Sequence, residues 1–303
     1  MEAFIKMFDL QLVLFAIMIV GIICSRLKII SKEGQESLSN LLINVVLPCN
    51  IIASFSAPAD GGDMAKNLLI ALILSAVIQT LAVLFGGKLF RMFPKNKKDV
   101  MHYGLICSNS SFIGMPVADS IYGSIGVVYV SMFQLPIRIT MWTSGLALFT
   151  NVDKKSAVKT ILVHPCIISM LIGIIIMVFS PPIPVFITST VDYLSKCTIP
   201  LSMVIIGCIL SECRINEIFD KSALYFSVIR LVVFPLVIFG ILKVLNIDEV
   251  LAGVTVIMSG MPAGSTTAIL ADKYDGDGHY ASKTVFVSTL LSMITVPLLC
   301  ALI

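Results

Sequence analysis

The chain has 303 residues, of which 57% are hydrophobic and only 13% charged, and its mean hydropathy is +1.00. A soluble domain carries about a quarter charged residues, so this composition excludes a soluble protein and implies a polytopic membrane protein without a soluble appendage. The net charge of +3 says little about partners, and no nucleic acid is expected among them.

Apolar runs of about 20 residues, enough to cross a bilayer, fall at 10–25, 36–56, 67–90, 101–121, 127–149, 160–179, 185–210, 222–244, 249–271 and 281–302. The run after Met1–Asp9 lacks a small-residue cleavage site and reads as a retained span. Loops after the odd-numbered spans hold 15 Lys and Arg, from Arg26, Lys28 and Lys32 to Lys273 and Lys283, against Lys6, Lys66 and Lys243 on the other face. By the positive-inside rule the rich face is cytoplasmic and both termini lie outside. The eight cysteines are scattered through the spans without a C-x-x-C pair, so they read as small core residues rather than a disulfide framework or zinc site.

An internal repeat emerges from the spacing. Gly21 and Gly173 lie 152 residues apart, as do Pro48 and Pro200, and Tyr122 and Tyr274. The halves 1–150 and 151–303 each hold five spans, an odd number, so the second copy enters the membrane inverted. The expected fold is an all-α single membrane domain of ten helices in two inverted repeats.

Two runs organise that fold: Ser108-Asn109-Ser110-Ser111-Phe112-Ile113-Gly114-Met115-Pro116 in span four and Ser259-Gly260-Met261-Pro262-Ala263-Gly264-Ser265-Thr266-Thr267 in span nine. Proline removes a backbone donor and glycine loosens a helix, so each run breaks its span at bilayer depth. Paired breaks in two repeats point to a carrier's binding site. Proline suits a first helical turn, which predicts half-helices starting at Pro116 and Pro262 with amides aimed at an anion. The preceding half-helix ends offer carbonyls that suit a cation or proton-bearing group. Candidate substrate contacts are Asn109, Ser110, Ser111, Gly114, Pro116, Gly260, Pro262, Gly264, Ser265 and Thr266. Kinked helices whose hydroxyls bond back to their own turns are the plainer alternative for each run.

Other residues at depth are candidates for lining a cavity or for coupling: Asn44, Pro48, Asn50, Asp119, Arg138, Pro200 and Asp272. Asn44 and Asn50 equally suit interhelical hydrogen bonds. Arg138, near the middle of span five, is either functional or paired with an acid. Arg230 is expected to snorkel toward the cytoplasmic face, and Asp192 with Lys196 to neutralise each other one helical turn apart. His102, His164 and His279 are isolated, and neither H-E-x-x-H nor a G-x-x-x-x-G-K-S/T loop occurs, so no enzymatic centre, metal site or ATP-driven pump is indicated. Asp275-Gly276-Asp277-Gly278 reads as a turn rather than a calcium loop.

The runs Asn109–Pro116 with Tyr122-Gly123, and Met261-Pro262-Ala263 through Tyr274 to Asp277 and Ala281-Ser282, resemble the auxin efflux carrier family in its compact bacterial form. Leu47-Pro48, Ile199-Pro200-Leu201 and Gly207 fit as well, and the resemblance covers essentially the whole chain. It implies a ten-helix inverted-repeat fold related to bile-acid/sodium symporters, with spans four and nine crossing where they unwind. It also implies a homodimer, and a small organic anion, auxin- or malonate-like, as substrate. Asn109 matches the amide of the plant family's first broken helix, whereas 259–267 holds hydroxyls and no Asn. The long hydrophilic central loop of many plant members is absent, since only Thr150 to Lys159 joins the halves. The function expected is a secondary carrier for a mono- or dicarboxylate in the cytoplasmic membrane, working by an elevator or rocking movement without a cofactor. The alternatives are a sodium- or proton-coupled importer of the same fold and an anion sensor that does not transport.

Overall fold

The computed structural model describes residues 2–56, 64–150, 158–159, 162–211, 220–245, 247–274 and 276–303, with the backbone alone for 2–11, 272 and 273. Lys154, Lys155, Cys213, Arg214, Asp275 and the side chains of Lys6, Asp272 and Lys273 therefore lie outside the described residues, as does the start of span six. Among the described residues the only pairing outside helices is one isolated antiparallel bridge.

The helices are α1 (Glu2–Arg26), α2 (Lys32–Ser56), α3 (Met64–Leu89), α4 (Lys95–Ile106), α5 (110–122), α6 (124–148), α7 (Pro165–Phe179), α8 (Val185–Ser195), α9 (Thr198–Ser211), α10 (Lys221–Val244), α11 (Glu249–Ser259), α12 (Thr266–Lys273) and α13 (Gly278–Leu302). Among the described residues, six continuous helical stretches are long and apolar enough to cross a membrane, and three more helices are apolar but shorter. Gly123 separates α5 from α6: its φ of 61° and ψ of −150° lie in a region that glycine alone enters at little cost.

Three prolines leave the same mark. The helix widens to a π turn at Leu42–Val46, Ser110–Gly114 and Ile229–Val233, each ending two residues before Pro48, Pro116 or Pro235. A proline ring clashes with the carbonyl four residues back and lacks an N–H. A π turn relieves that clash without breaking the helix.

The chain divides into two compact units, each drawing on both sequence halves. The first comprises Met1–Lys66, Ser111–Met132 and Leu162–Glu212. In it α1 packs on α9, and α2 on α7 and α8. The α1–α9 contact is close because it is built on glycine: a Cβ on Gly207 would lie 2.1 Å from the Met18 carbonyl oxygen, and one on Gly21 2.3 Å from that of Val204. Ser211 donates to Ser25 at 2.6 Å along the same seam. On α8, Lys196 donates to Asp192 at 2.7 Å, the neutral pair expected there.

The second unit comprises Asn67–Ser110, Phe133–Ile161 and Cys213–Ile303. Phe90, Met101, Leu105, Phe226, Tyr280 and Val285 form its apolar core, drawn from α4, α10, α13 and the end of α3. At one end, Asp220 caps α10 by accepting from the Ser222 and Ala223 amides and faces the ammonium groups of Lys97 at 3.9 Å and Lys283 at 3.6 Å. In both units large apolar side chains such as Leu84, Ile175, Phe179 and Val244 point outward, while polar ones such as Asn50, Gln79, Ser202 and Thr255 are buried. That is the arrangement lipid as solvent demands.

Two outcomes test this account. Gly207→Ala sets a methyl against main chain with no side chain to yield, and should cost about 2–3 kcal/mol, read as a lowered Tm of the purified protein. Partial burial pushes the Asp220 carboxyl up, but the Ser222 hydroxyl, the Ala223 and Ser222 amides and the charge of Lys97 outweigh it and hold it at about 2. Because the folded carboxyl lies below the ordinary value of 3.8, its contribution is complete above pH 4 and lost as pH falls toward 2. Asp220→Asn should therefore lower Tm at neutral pH and flatten its decline between about pH 4 and 2.

Candidate functional site

The second unit contains the meeting point of the two broken helices. The chain leaves helical geometry after Ile106, and Ser108 pairs antiparallel with Ala263. Asn109 N–H donates to the Pro262 carbonyl at 2.8 Å, and Gly264 N–H to the Cys107 carbonyl at 2.9 Å. The Ala263 amide donates to the Ser288 hydroxyl of α13 at 3.3 Å. Gly264 permits this approach, since a Cβ there would meet the Cys107 carbonyl oxygen at 3.3 Å. The groups that the breaks free thus satisfy one another, as a low-dielectric site requires.

The second break falls at Gly260-Met261-Pro262 as its residues indicate, while the first break and both half-helix starts lie a few residues from where the sequence puts them. The first run breaks at 107–109, and the helix that follows, α5, starts at Ser110 rather than at Pro116, which lies two turns inside it behind a π turn. In span nine α11 ends at Ser259, Pro262 lies in the extended bridge segment, and α12 starts at Thr266. Proline's missing donor is equally cheap in an unwound segment, so its presence marks the break without fixing the helix start. Ser265 occupies the N-cap of α12, yet its hydroxyl makes no capping bond; the Thr267 and Ala268 amides donate instead to the Gly264 and Ser265 carbonyls at 2.9 and 3.1 Å.

Around the bridge, the Cys107 thiol lies 3.3 Å from the Met141 sulfur and 3.0 Å from the Thr266 hydroxyl. The hydroxyls of Ser108 and Thr267 are buried and have no partner among the described residues. Arg138 reaches the site at one remove: it donates to the Gln134 side-chain oxygen at 3.1 Å, and the Gln134 amide reaches the Ser110 carbonyl at 3.5 Å.

Arg230, expected at the cytoplasmic face, is instead among the most buried side chains, at 2% exposure. Its Nε donates to the Met261 carbonyl at 2.8 Å and its Nη1 to that of Leu105 at 3.1 Å, one from each broken span. Its ring neighbour is Phe234, 5.4 Å from the guanidinium carbon. The π turn at Ile229–Val233 carries this residue, and Pro235 was the sequence signal that could have found it.

The remaining candidates belong to the first unit. Asn50 Nδ2 donates to Asp119 at 3.3 Å, joining α2 to α5, while Asn50 Oδ1 is buried without a partner among the described residues. Asn44 is exposed and donates back to the Asn40 carbonyl at 2.8 Å, apart from that pair. Pro48 is buried behind its π turn, and Pro200 is an exposed first-turn residue of α9. Ser111 and Gly114 continue α5 within the same unit.

A family model described as membrane transport protein matches residues 7–300. The chain belongs to the auxin efflux carrier family of membrane transport proteins. Among its relatives, an uncharacterized transporter of Methanothermobacter thermautotrophicus is 28% identical over 93% of both chains. Another, of Methanocaldococcus jannaschii, is 25% identical over 96% of both. A protein of Rhizobium meliloti named "Putative malonate transporter" is 23% identical over 95% of this chain and 92% of its own. Family membership makes this chain a membrane transporter and assigns it no catalytic activity.

The unpartnered Thr267 hydroxyl gives a direct check on the site's geometry. Thr267→Val keeps shape and the backbone bond to Gly264, and should leave stability unchanged or raise it by up to about 1 kcal/mol. Thermal unfolding reads this, and a loss beyond about 2 kcal/mol would mean the hydroxyl has an internal partner.

Proposed function

We propose that this family member is a secondary carrier that moves a small organic anion, a mono- or dicarboxylate, across the cytoplasmic membrane by alternating access. The observation that carries the reading is the bridged break, just ahead of α12, where two buried hydroxyls lack partners among the described residues. Helix N-termini favour a carboxylate, and polar groups left open at depth are costly unless a ligand uses them. Asn109, Ser110, Gly264, Ser265 and Thr266 flank that point and are the contacts proposed for the substrate, with Gly260 and Pro262 shaping it. The relative named for malonate makes a short dicarboxylate the first compound to try.

The reading includes ten membrane spans in two inverted repeats, with α4–α5 and α11–α12 as the broken spans four and nine. It also places both termini outside, on the strength of the Lys and Arg asymmetry, and takes a homodimer as the assembly. Proton coupling is a second reading, favoured by the Asp119 carboxyl bonded to buried Asn50 in α2.

A thermal-shift screen of malonate, succinate, acetate and indole-3-acetate on the purified protein tests the substrate class, followed by uptake of the stabilising compound into proteoliposomes. Asn109→Ala should abolish that uptake while membrane insertion and Tm are retained. Normal uptake by a well-expressed variant would remove Asn109 from the site.

A further inference from the structure

In carriers built on broken helices, the carbonyls at half-helix C-terminal ends hold the coupling cation. In this chain one carbonyl at or just beyond each of those ends is already engaged. Leu105 lies in the last turn of α4 and Met261 two residues beyond α11, and both accept from the Arg230 guanidinium. Among the described residues no carboxylate pairs with that charge. A buried guanidinium without an acid is costly unless other negative charge faces it. The C-terminal ends of α4 and α11 supply about half an elementary charge each, together the equal of one monovalent cation.

We propose that Arg230 is a built-in cation that takes the place of a coupling sodium ion at the crossing, so that this carrier runs without sodium. Being covalently tethered, the charge cannot dissociate during a cycle and contributes no ion gradient. With those ends neutralised, the partial positive charge of the α12 N-terminus, about half an elementary charge, is left for a carboxylate group of the substrate. The proposal rests on the carrier reading above for its transport arm alone; the stability arm stands without it.

The test compares wild type with Arg230→Met and Arg230→Lys in sodium chloride and in choline chloride at equal ionic strength. Wild type should show the same Tm in both salts. Arg230→Met strands two buried carbonyls and should lose about 5 °C or more in choline, part of which sodium or methylguanidinium restores. Arg230→Lys, which keeps the charge but not the fork, should fall between; it carries the test if the Met variant does not fold. Saturable stabilisation of wild type by sodium would overturn the proposal, as would an Arg230→Met protein with unchanged Tm. In proteoliposomes, malonate uptake should be equally fast in either salt. Malonate uptake that requires sodium would overturn the built-in cation and leave the carrier standing. A protein that ignores every carboxylate while the Tm pattern holds would do the reverse.

Discussion

At bilayer depth a backbone group without a partner costs several kcal/mol, and the whole design of the second unit follows from meeting that demand. Two helices are interrupted there, and each interruption frees amides and carbonyls. Asn109 and Gly264 donate across the gap, Ser288 receives the Ala263 amide, and Arg230 receives one carbonyl from each broken span. Without this closed set of bonds the breaks would be sites of collapse. With it they form a rigid polar element inside an apolar body.

The surroundings serve that element. Phe226, Leu105, Ala263 and Tyr280 belong to one apolar cluster of this unit and Tyr103, Met141, Leu146 and Leu270 to another. The π turn ahead of Pro235 sets Arg230 in the α10 wall. Ser288 is held by its own bond to the Val285 carbonyl at 3.1 Å, so its oxygen faces the bridge. The first unit is built differently, on glycine seams between long helices and one Asn–Asp pair, with no break of comparable depth in its described residues.

Much of this was legible in the residues. The two Gly-Met-Pro runs named the elements that unwind, and the family resemblance that they carry agrees with the family the chain belongs to. Their detail was not legible. Proline tolerates a first helical turn, an unwound strand and a π-widened helix alike, so Pro116 and Pro262 could not say which of these they occupy. Asn44 and Asn50 look equivalent in sequence, six residues apart, yet one turns back on its own helix and the other reaches Asp119.

Arg230 marks the division most clearly. Composition, span length and the positions of Pro and Gly determined that this is a membrane protein with two interrupted helices, because lipid imposes length and polarity on any chain that crosses it. Whether an arginine less than three turns into a span snorkels or stays buried depends on what meets it. Carbonyls from Leu105 and Met261, 125 and 31 residues away, decide that. Their convergence is a property of tertiary packing, which no local pattern encodes.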